Sequence, residues 1–313
     1  MDALSQLLSL GCSRVELEMR CLLDGTFTIA YDAPPPSEVA FHLMLSGQCR
    51  LRVAGGRTQQ LGEGDLLLLP GGGAYEILDA IGARGAVTVP VRELAATNVT
   101  VLPVQSNIGD VDSANVDMLC GRLVFGRGAG DLLLRALPRV MHIGLCESSG
   151  LEPLQMLMGL LRSEMSREQP GARAIVDALG QALLTYALRA YGQDTQMLSG
   201  WLAVAVDARL GPSIRAMLQA PAHPWTVASL GNVAAMSRAT YARHFREKAG
   251  MSVGAFVAQI RMMHACALLR DSGSGQAAIG EAVGYRSEAA FGKAFRDVLG
   301  MTPGRWRRTH RCV

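Results

Sequence analysis

No stretch of the chain reaches the ~18 consecutive apolar residues that a membrane span needs. Its longest uncharged segments are broken by Gly, Pro, Asn and Gln. The N-terminus, MDALSQLLSLGCSR, carries Asp2 and no basic residue ahead of its apolar positions, so it is a poor secretory signal. These absences predict a cytoplasmic protein outside any membrane. The seven cysteines are Cys12, Cys21, Cys49, Cys120, Cys146, Cys266 and Cys312, and no two stand at C-x-x-C spacing. That excludes zinc-finger and thioredoxin-type centres and predicts resting thiols. Charged residues make up only 18% and apolar residues 49%, which excludes a wholly disordered chain and leaves enough to build a sizeable core. At about 100–200 residues per domain, 313 residues suggest two domains.

The net charge of +3 hides an asymmetry. Residues 1–206 hold 15 Lys/Arg and 21 Asp/Glu, whereas residues 207–313 hold 15 Lys/Arg and 6 Asp/Glu. An acidic part of charge −6 joined to a basic part of +9 implies that one domain meets a polyanion.

From Cys21 to about Leu123 the pattern is strand-like. The runs TFTIAY, VAFHLML, CRLRVA, DLLLLP and AVTVPV are separated by glycine turns, which predicts a β-sandwich or small barrel. From Leu151 the period becomes helical. LEPLQMLMGLLRSEM reads as one helix, and 172–192 as another with a wide apolar stripe through Ile175, Val176, Leu179, Leu183, Tyr186, Leu188 and Tyr191. That stripe must pack on its own barrel or on a second copy of the chain, and Leu183 is the position at which a charge tests the second choice.

The basic part contains a repeat. SRATYARHFREKAGMSVG (237–254) aligns without gaps with SEAAFGKAFRDVLGMTPG (287–304). A short helical segment and a turn precede each copy, so each reads as helix, tight turn, helix. Ser237 and Ser287 stand where an N-cap of the second helix belongs, and Gly284 suits a left-handed turn. Two such units in a basic domain suit major-groove reading. Ala239, Ala242, Arg243 and Arg246 share one helix face, and Ala289, Gly292, Lys293 and Arg296 take the same places in the second copy. Small residues allow close approach to base edges. Arg243 can fork onto a guanine, and Lys293 can reach guanine or phosphate. Arg246, Arg296, Arg305, Arg307 and Arg308 suit phosphate. The other reading of the same residues is a helical bundle with solvated arginines.

Residues 207–308 resemble the DNA-binding domain of the AraC/XylS family of transcription regulators. The resemblance is carried by Trp225-Thr226-Val227, Leu230, Ala234, Met236-Ser237-Arg238, Phe245-Arg246, Gly250, Arg261 and Ala265, then by Ile279, Val283-Gly284-Tyr285, Ser287, Phe291, Phe295-Arg296, Gly300, Thr302-Pro303 and Trp306-Arg307. Gly231 departs from a usual alanine, and Val253 from a frequent proline. The resemblance implies two helix-turn-helix modules, about 226–247 and 276–297, joined by a long helix at about Val253–Arg270. It places Arg238, Ala239, Ala242, Arg243, Arg246, Glu288, Ala289, Gly292, Lys293 and Arg296 at the DNA. The segment from Gly64 to Tyr75 resembles a cupin motif in which Tyr75 stands at a ligand histidine's place and Asp79 at an asparagine's. Only His42 remains of the usual histidine pair, with Met44 at the second place. One histidine cannot form a three-histidine metal centre. A cupin enzyme fused to a DNA-binding domain is therefore the less favoured alternative, and no bound metal, no cofactor and no enzymatic activity are expected.

The expected architecture is α+β in two domains. A cupin-like β-barrel with trailing helices occupies 1–192 (barrel about 20–125, helices about 151–192), 193–206 link, and an all-α DNA-binding domain occupies 207–313. The layout of Cys21, His42 and the Leu119-Cys120-Gly121 segment also resembles a redox-linked branch of cupin-bearing AraC regulators, some of which respond to reactive chlorine species. That resemblance implies that Cys21 and Cys120 are a reactive pair. Arg20 would favour thiolate at Cys21, and Glu16 and Glu18 would oppose it. Two packed thiols, a small organic ligand in the barrel, and a soft-metal site of Cys21, Cys120 and His42 are the alternatives. Cys266 and Cys312 are expected to be incidental. The expected partners are double-stranded promoter DNA, RNA polymerase and a second copy of the chain, with the regulator acting as an activator.

Overall fold

The computed structural model describes residues 1–53, 58–80, 92–93, 101–108, 113–144, 152–166, 169–193 and 200–310. The first elements in chain order are α1 (Ala3–Gly11), β1 (Cys12–Leu23), β2 (Thr28–Tyr31), β3 (Glu38–Ser46), β4 (Cys49–Val53), β5 (Thr58–Leu61), β6 (Asp65–Leu69), β7 (Tyr75–Asp79), β8 (Arg92–Glu93), β9 (Val104–Ser106), β10 (Val116–Phe125), α2 (Ala129–Arg135) and β11 (Met141–Gly144). The rest are helices: α3 (Glu152–Ser166), α4 (Ala172–Gln193), α5 (Trp201–Val206), α6 (Gly211–Gln219), α7 (Val227–Val233), α8 (Arg238–Ala249), α9 (Val253–Asp271), α10 (Gln276–Ala282), α11 (Glu288–Leu299) and α12 (Pro303–His310). The expected strand at 86–91, residues 194–199 of the expected linker, Cys146 and Cys312 lie outside the described residues.

The chain divides into two compact units, and the division does not respect chain order. One unit is Arg14–Val124 with Pro138–Leu188. The other is Met1–Ser13, Phe125–Leu137 and Arg189–Val313.

The first unit is the β-rich one. Its strands form a sheet in the order β11-β6-β3-β10-β1-β9-β8 and a second sheet in the order β2-β7-β4-β5. Alternation along the strands sends one set of side chains inward. Leu23, Phe27, Leu51, Leu61, Leu67, Ile77 and Met118 meet there with Cys21, Met44, Cys49 and Cys120. In β6 Leu66 to Leu69 are all buried, as a strand covered on both faces requires, which accounts for an apolar run without alternation. β1 begins at Cys12, ahead of the region read as strand-like. The alternation of Val15, Leu17, Met19 and Cys21 with charged residues carried that signal.

Helix α4 packs on this unit's own sheet. Gly180 lies against the Leu17 side chain, at 3.0 Å from where a Cβ would stand, and Arg173 Nη2 donates to Leu17 O at 2.9 Å. Val176, Leu183, Leu184 and Leu188 are buried, Leu183 to 2% exposure. Leu183 is therefore no probe of a second copy, because a charge there would disrupt the chain's own fold. Among the described residues of this unit the exposed large apolar side chains are Met156 and Leu160 on α3 and Ile175 on α4.

The second unit is helical apart from a few strand-end residues, and it includes α1 and α2 as well as the basic region. α1 packs on α6 and α5, and α2 on α9. Gly126 N donates to Gly11 O at 2.8 Å, tying the ends of β1 and β10 together where they meet these helices. Residues 201–206, within the stretch read as a linker, form α5. Its Trp201, Leu202, Ala203 and Val204 are buried, and Trp201 Nε1 donates to Leu133 O at 3.0 Å. Cys266 is buried on α9, where burial raises its thiol pKa well above the usual range. Among the described residues no single helix is long and apolar enough to cross a membrane.

Candidate DNA interface and candidate thiol site

Two helix-turn-helix units, α7–α8 and α10–α11, flank α9. The second helix of each is held at both ends by side-chain and glycine caps. Ser237 Oγ accepts from Thr240 N and Ser287 Oγ from Ala290 N, both at 3.2 Å. Gly250 and Gly300 close the C-termini in the left-handed region, with φ of 68° and 75°. The serine caps, the Gly284 turn and the joining helix are as the sequence predicts.

The two units differ in one respect that the gap-free alignment conceals. Met236 N bonds Gly231 O, and Tyr285 N bonds Gly280 O, each at 2.8 Å. Gly231 and Gly280 are therefore equivalent at an offset of 49, whereas Ser237 and Ser287 stand 50 apart. The second turn is one residue longer, and exposed Arg286 occupies the extra place. A Cβ on Gly280 would lie 3.0 Å from Phe291 Cβ, and one on Gly231 3.0 Å from Met236 O. The first helix of each unit is therefore packed closely on the turn or the second helix of that unit. The left-handed turn residue is Gly284 in one unit (φ 88°) and Ala235 in the other (φ 51°). A Cβ makes that conformation cost about 1–2 kcal/mol.

Tyr241, Phe245 and Ala249 are buried, as are Phe291, Phe295 and Leu299 at the same places. The opposite faces carry the expected residues. Arg238, Ala239, Arg243 and Arg246 are exposed with Ala242 half-buried; Glu288, Ala289, Lys293 and Arg296 are exposed with Gly292 half-buried. Among the described residues Arg238, Arg243, Arg246, Lys293 and Arg296 enter no ion pair, which leaves five cations on these faces available to an anion.

Two other arginines hold the fold. Arg261 on α9 donates to Pro221 O (2.9 Å), His223 O (3.0 Å) and Gly284 O (3.3 Å), and its guanidinium lies 5.4 Å from the Tyr285 ring centroid. It joins the chain ahead of the first unit to the turn of the second. Arg307, read from the sequence as a phosphate contact, instead donates to Leu269 O (3.2 Å) and Ser274 O (2.6 Å), fixing α12 to the end of α9. Neither role was legible, because the acceptors are backbone carbonyls 23 to 40 residues away.

In the β-rich unit Cys21, His42 and Cys120 come together. Cys120 and His42 are direct partners across β10 and β3, and β1 with Cys21 is the next strand. Cys21 Sγ lies 3.7 Å from Cys120 Sγ, and His42 Nδ1 lies 3.2 Å from Cys120 Sγ. The other ring nitrogen, Nε2, is 2.8 Å from Tyr75 Oη. Tyr31 stacks on Tyr75 at 4.9 Å between centroids and places its hydroxyl 3.9 Å from Cys120 Sγ. Tyr75, which stands at a ligand histidine's place, thus meets His42 through a hydrogen bond. Met44, at the second histidine's place, accepts from Cys49 Sγ at 3.5 Å. Among the described residues no group of three or more His, Cys, Asp or Glu is placed to hold a metal ion.

The electrostatics favour neutral forms. The Cys21 contact and then burial raise the Cys120 thiol pKa well above its ordinary value. Burial lowers His42 to about 3 and raises both tyrosines. Arg20 does not face Cys21. As the neighbouring residue on a strand it points to the other face, where it pairs with Asp117 through Nε at 2.9 Å and Nη2 at 2.8 Å. Glu16, Glu18 and Glu38 gather around Arg122 at 2.7, 3.1 and 2.8 Å.

A two-sheet β unit in one chain with paired helix-turn-helix modules defines a class, the DNA-binding transcription regulator with an attached β-rich domain. A family model described as cupin matches residues 2–193, and one described as helix-turn-helix domain matches residues 230–309. An uncharacterized HTH-type transcriptional regulator of Haemophilus influenzae is 30% identical over 309 residues, 99% of each chain. The HTH-type transcriptional regulator MtrA of Neisseria gonorrhoeae is 29% identical over 312 residues, 98% of each chain. The RCS-specific HTH-type transcriptional activator RclR of Escherichia coli is 27% identical over 308 residues, 98% of this chain and 97% of that one. The chain belongs to the AraC family of transcription regulators, with an N-terminal cupin domain and a C-terminal helix-turn-helix domain.

Proposed function

We propose that this regulator is a cytoplasmic activator whose cupin domain responds to a two-electron oxidant by joining Cys21 to Cys120. The observation that carries the reading is the 3.7 Å separation of two buried sulfurs on adjacent strands. The name of the Escherichia coli relative as an RCS-specific activator supports a reactive chlorine species as the signal. A disulfide of ~2.0 Å requires the sulfurs to approach by more than ~1 Å, which shifts β1 against β10. β1 comes directly after α1 and β10 leads into α2, and both helices pack within the unit that holds the helix-turn-helix pair. Strand movement therefore has a covalent route to DNA binding, and a coupling of ~1–3 kcal/mol suffices to change promoter occupancy severalfold.

At the promoter, Arg243 reads a base and Lys293 a base or phosphate. Ala239, Ala242, Ala289 and Gly292 allow close approach, and Arg238, Arg246, Arg296 and the added Arg286 hold phosphates. Glu288 accepts from a cytosine amino group. RNA polymerase is the further partner, and a second copy docks on the exposed Met156, Leu160 and Ile175 rather than on Leu183. The test is a promoter reporter exposed to hypochlorite, comparing wild type with Cys21→Ser, Cys120→Ser and the double variant. Loss of the response in all three is expected. A full response in the double variant refutes the pair and leaves a small ligand in the barrel as the signal.

A further inference from the structure

The two thiols are not equivalent. We propose that Cys120 is the sulfur the oxidant strikes, that His42 Nδ1 takes its proton, and that Cys21 then closes the disulfide; this rests on the redox reading above. Of the two sulfurs only Cys120 has a ring nitrogen in reach, at 3.2 Å. The tautomer is set from the far side of the ring. With Nε2–H donating to Tyr75 Oη at 2.8 Å, Nδ1 is left as an acceptor facing the thiol. Among the described residues those two contacts complete the ring's polar surroundings. The titratable groups around it are Cys120 on β10, Cys21 on β1, Tyr75 on β7 and Tyr31 on β2, and no carboxylate among the described residues is in hydrogen-bond reach. The imidazole therefore rests neutral, and because burial disfavours a standing imidazolium its Nδ1 relays the thiol proton only as the departing hydroxide receives it.

The chemistry balances with hypochlorous acid as oxidant. Cys120 Sγ attacks chlorine as the thiol proton passes to Nδ1. An S–Cl bond forms, the Cl–O bond breaks, and the departing hydroxide takes the proton from Nδ1 and leaves as water. Cys21 Sγ then attacks Cys120 Sγ, forming the S–S bond and expelling chloride with release of the Cys21 proton. Two thiols lose two electrons in all, and chlorine gains them. Tyr31 and Tyr75 hold the ring and the sulfur in place and exchange no electrons.

Two measurements on the full chain test this. In the first, substoichiometric hypochlorite is added ahead of dimedone and peptide mass mapping, so that S–Cl hydrolysed to sulfenic acid is trapped. Cys120 in the Cys21→Ser variant is expected to carry at least tenfold more label than Cys21 in the Cys120→Ser variant. Equal labelling, or the reverse order, overturns the proposal. In the second, disulfide formation is timed from about pH 6 to 8.5 in wild type, His42→Asn and Tyr75→Phe. The ratio of variant to wild-type rate cancels the oxidant's own titration. His42→Asn is expected to be at least tenfold slower at about pH 7, with the gap closing by about tenfold per pH unit as solvent base replaces the imidazole. Tyr75→Phe is expected to slow the reaction less. A ratio constant with pH means that His42 only packs, and it overturns the role given to it. If wild type forms no disulfide at all, the redox reading itself fails, and this assignment fails with it.

Discussion

Replacing Arg261 by Lys removes a support that touches no DNA face. Arg261 is half-buried and bonds three backbone carbonyls, of Pro221, His223 and Gly284, while lying over the Tyr285 ring. A lysine ammonium offers one point charge where the guanidinium offers a planar fork, so it can keep one of these contacts. Hydrogen bonds from charged donors contribute about 1.5–3 kcal/mol each. Water can replace the exposed His223 contact, whereas the other two are partly buried. With one contact kept and one replaced by water, one partly buried bond is lost, a net of about 2 kcal/mol in the helix-turn-helix unit, on the order of 30-fold in its folded population. Denaturant unfolding of the full chain reads the stability, and DNA titration over a range of salt reads the interface. Affinity should fall because the two units lose their common anchor, while the slope of log K against log salt stays that of wild type. A phosphate contact behaves in the opposite way: its loss leaves stability intact and lowers the slope by about one unit. That second pattern would refute the structural role.

Ala235→Gly should stabilise the same unit by up to ~1 kcal/mol, because Ala235 sits at φ 51° where the other turn uses glycine. Gly284→Ala should cost more than ~2 kcal/mol by thermal unfolding, because its Cβ would combine a left-handed φ with a 2.6 Å approach to Ala222 O. Arg243→Ala should relax specificity at one base pair at a cost of about 1–3 kcal/mol, whereas Arg296→Ala should weaken all sequences alike; equal, sequence-independent losses would contradict the division of roles. His42 gives a pH signature. Its folded pKa of about 3 lies below the ordinary 6.5, so the unfolded chain binds the proton more readily. The stability tied to its neutral form is complete above about pH 6.5 and is lost as pH falls toward about 3, at about 1.4 kcal/mol per pH unit. Relative to His42→Asn, wild type should therefore lose about 2 kcal/mol more between about pH 6.5 and 5.

Much of this molecule is readable from its residues, and the limits have physical causes. The repeat is legible because both recognition helices need the same caps and the same buried aromatic pair, so Ser237, Phe245 and Gly250 recur as Ser287, Phe295 and Gly300. The longer second turn is hidden because a gap-free alignment anchored on those residues passes over one inserted position at Arg286. Charge alone does not separate Arg243, which faces solvent, from Arg307, which is committed to two carbonyls. Arg20 is misplaced when nearness in sequence is equated with nearness in space. On a strand the adjacent residue is on the other face, and Asp117 is there to pair with it. The wide stripe of α4 announces burial correctly but not the partner, and Gly180 against Leu17 shows the partner to be the chain's own sheet. Likewise α1 and α2 carry no mark of the unit they join, since packing on α6 and α9 depends on contacts more than a hundred residues apart.

The measurement that bears most directly on the central claim is paired peptide mapping and in vitro transcription on one sample of full-length protein, before and after one equivalent of hypochlorite and again after reduction. The account predicts a Cys21–Cys120 disulfide that appears and disappears in step with promoter output. Output that changes with no such link, or a link that forms with output unchanged, would contradict it.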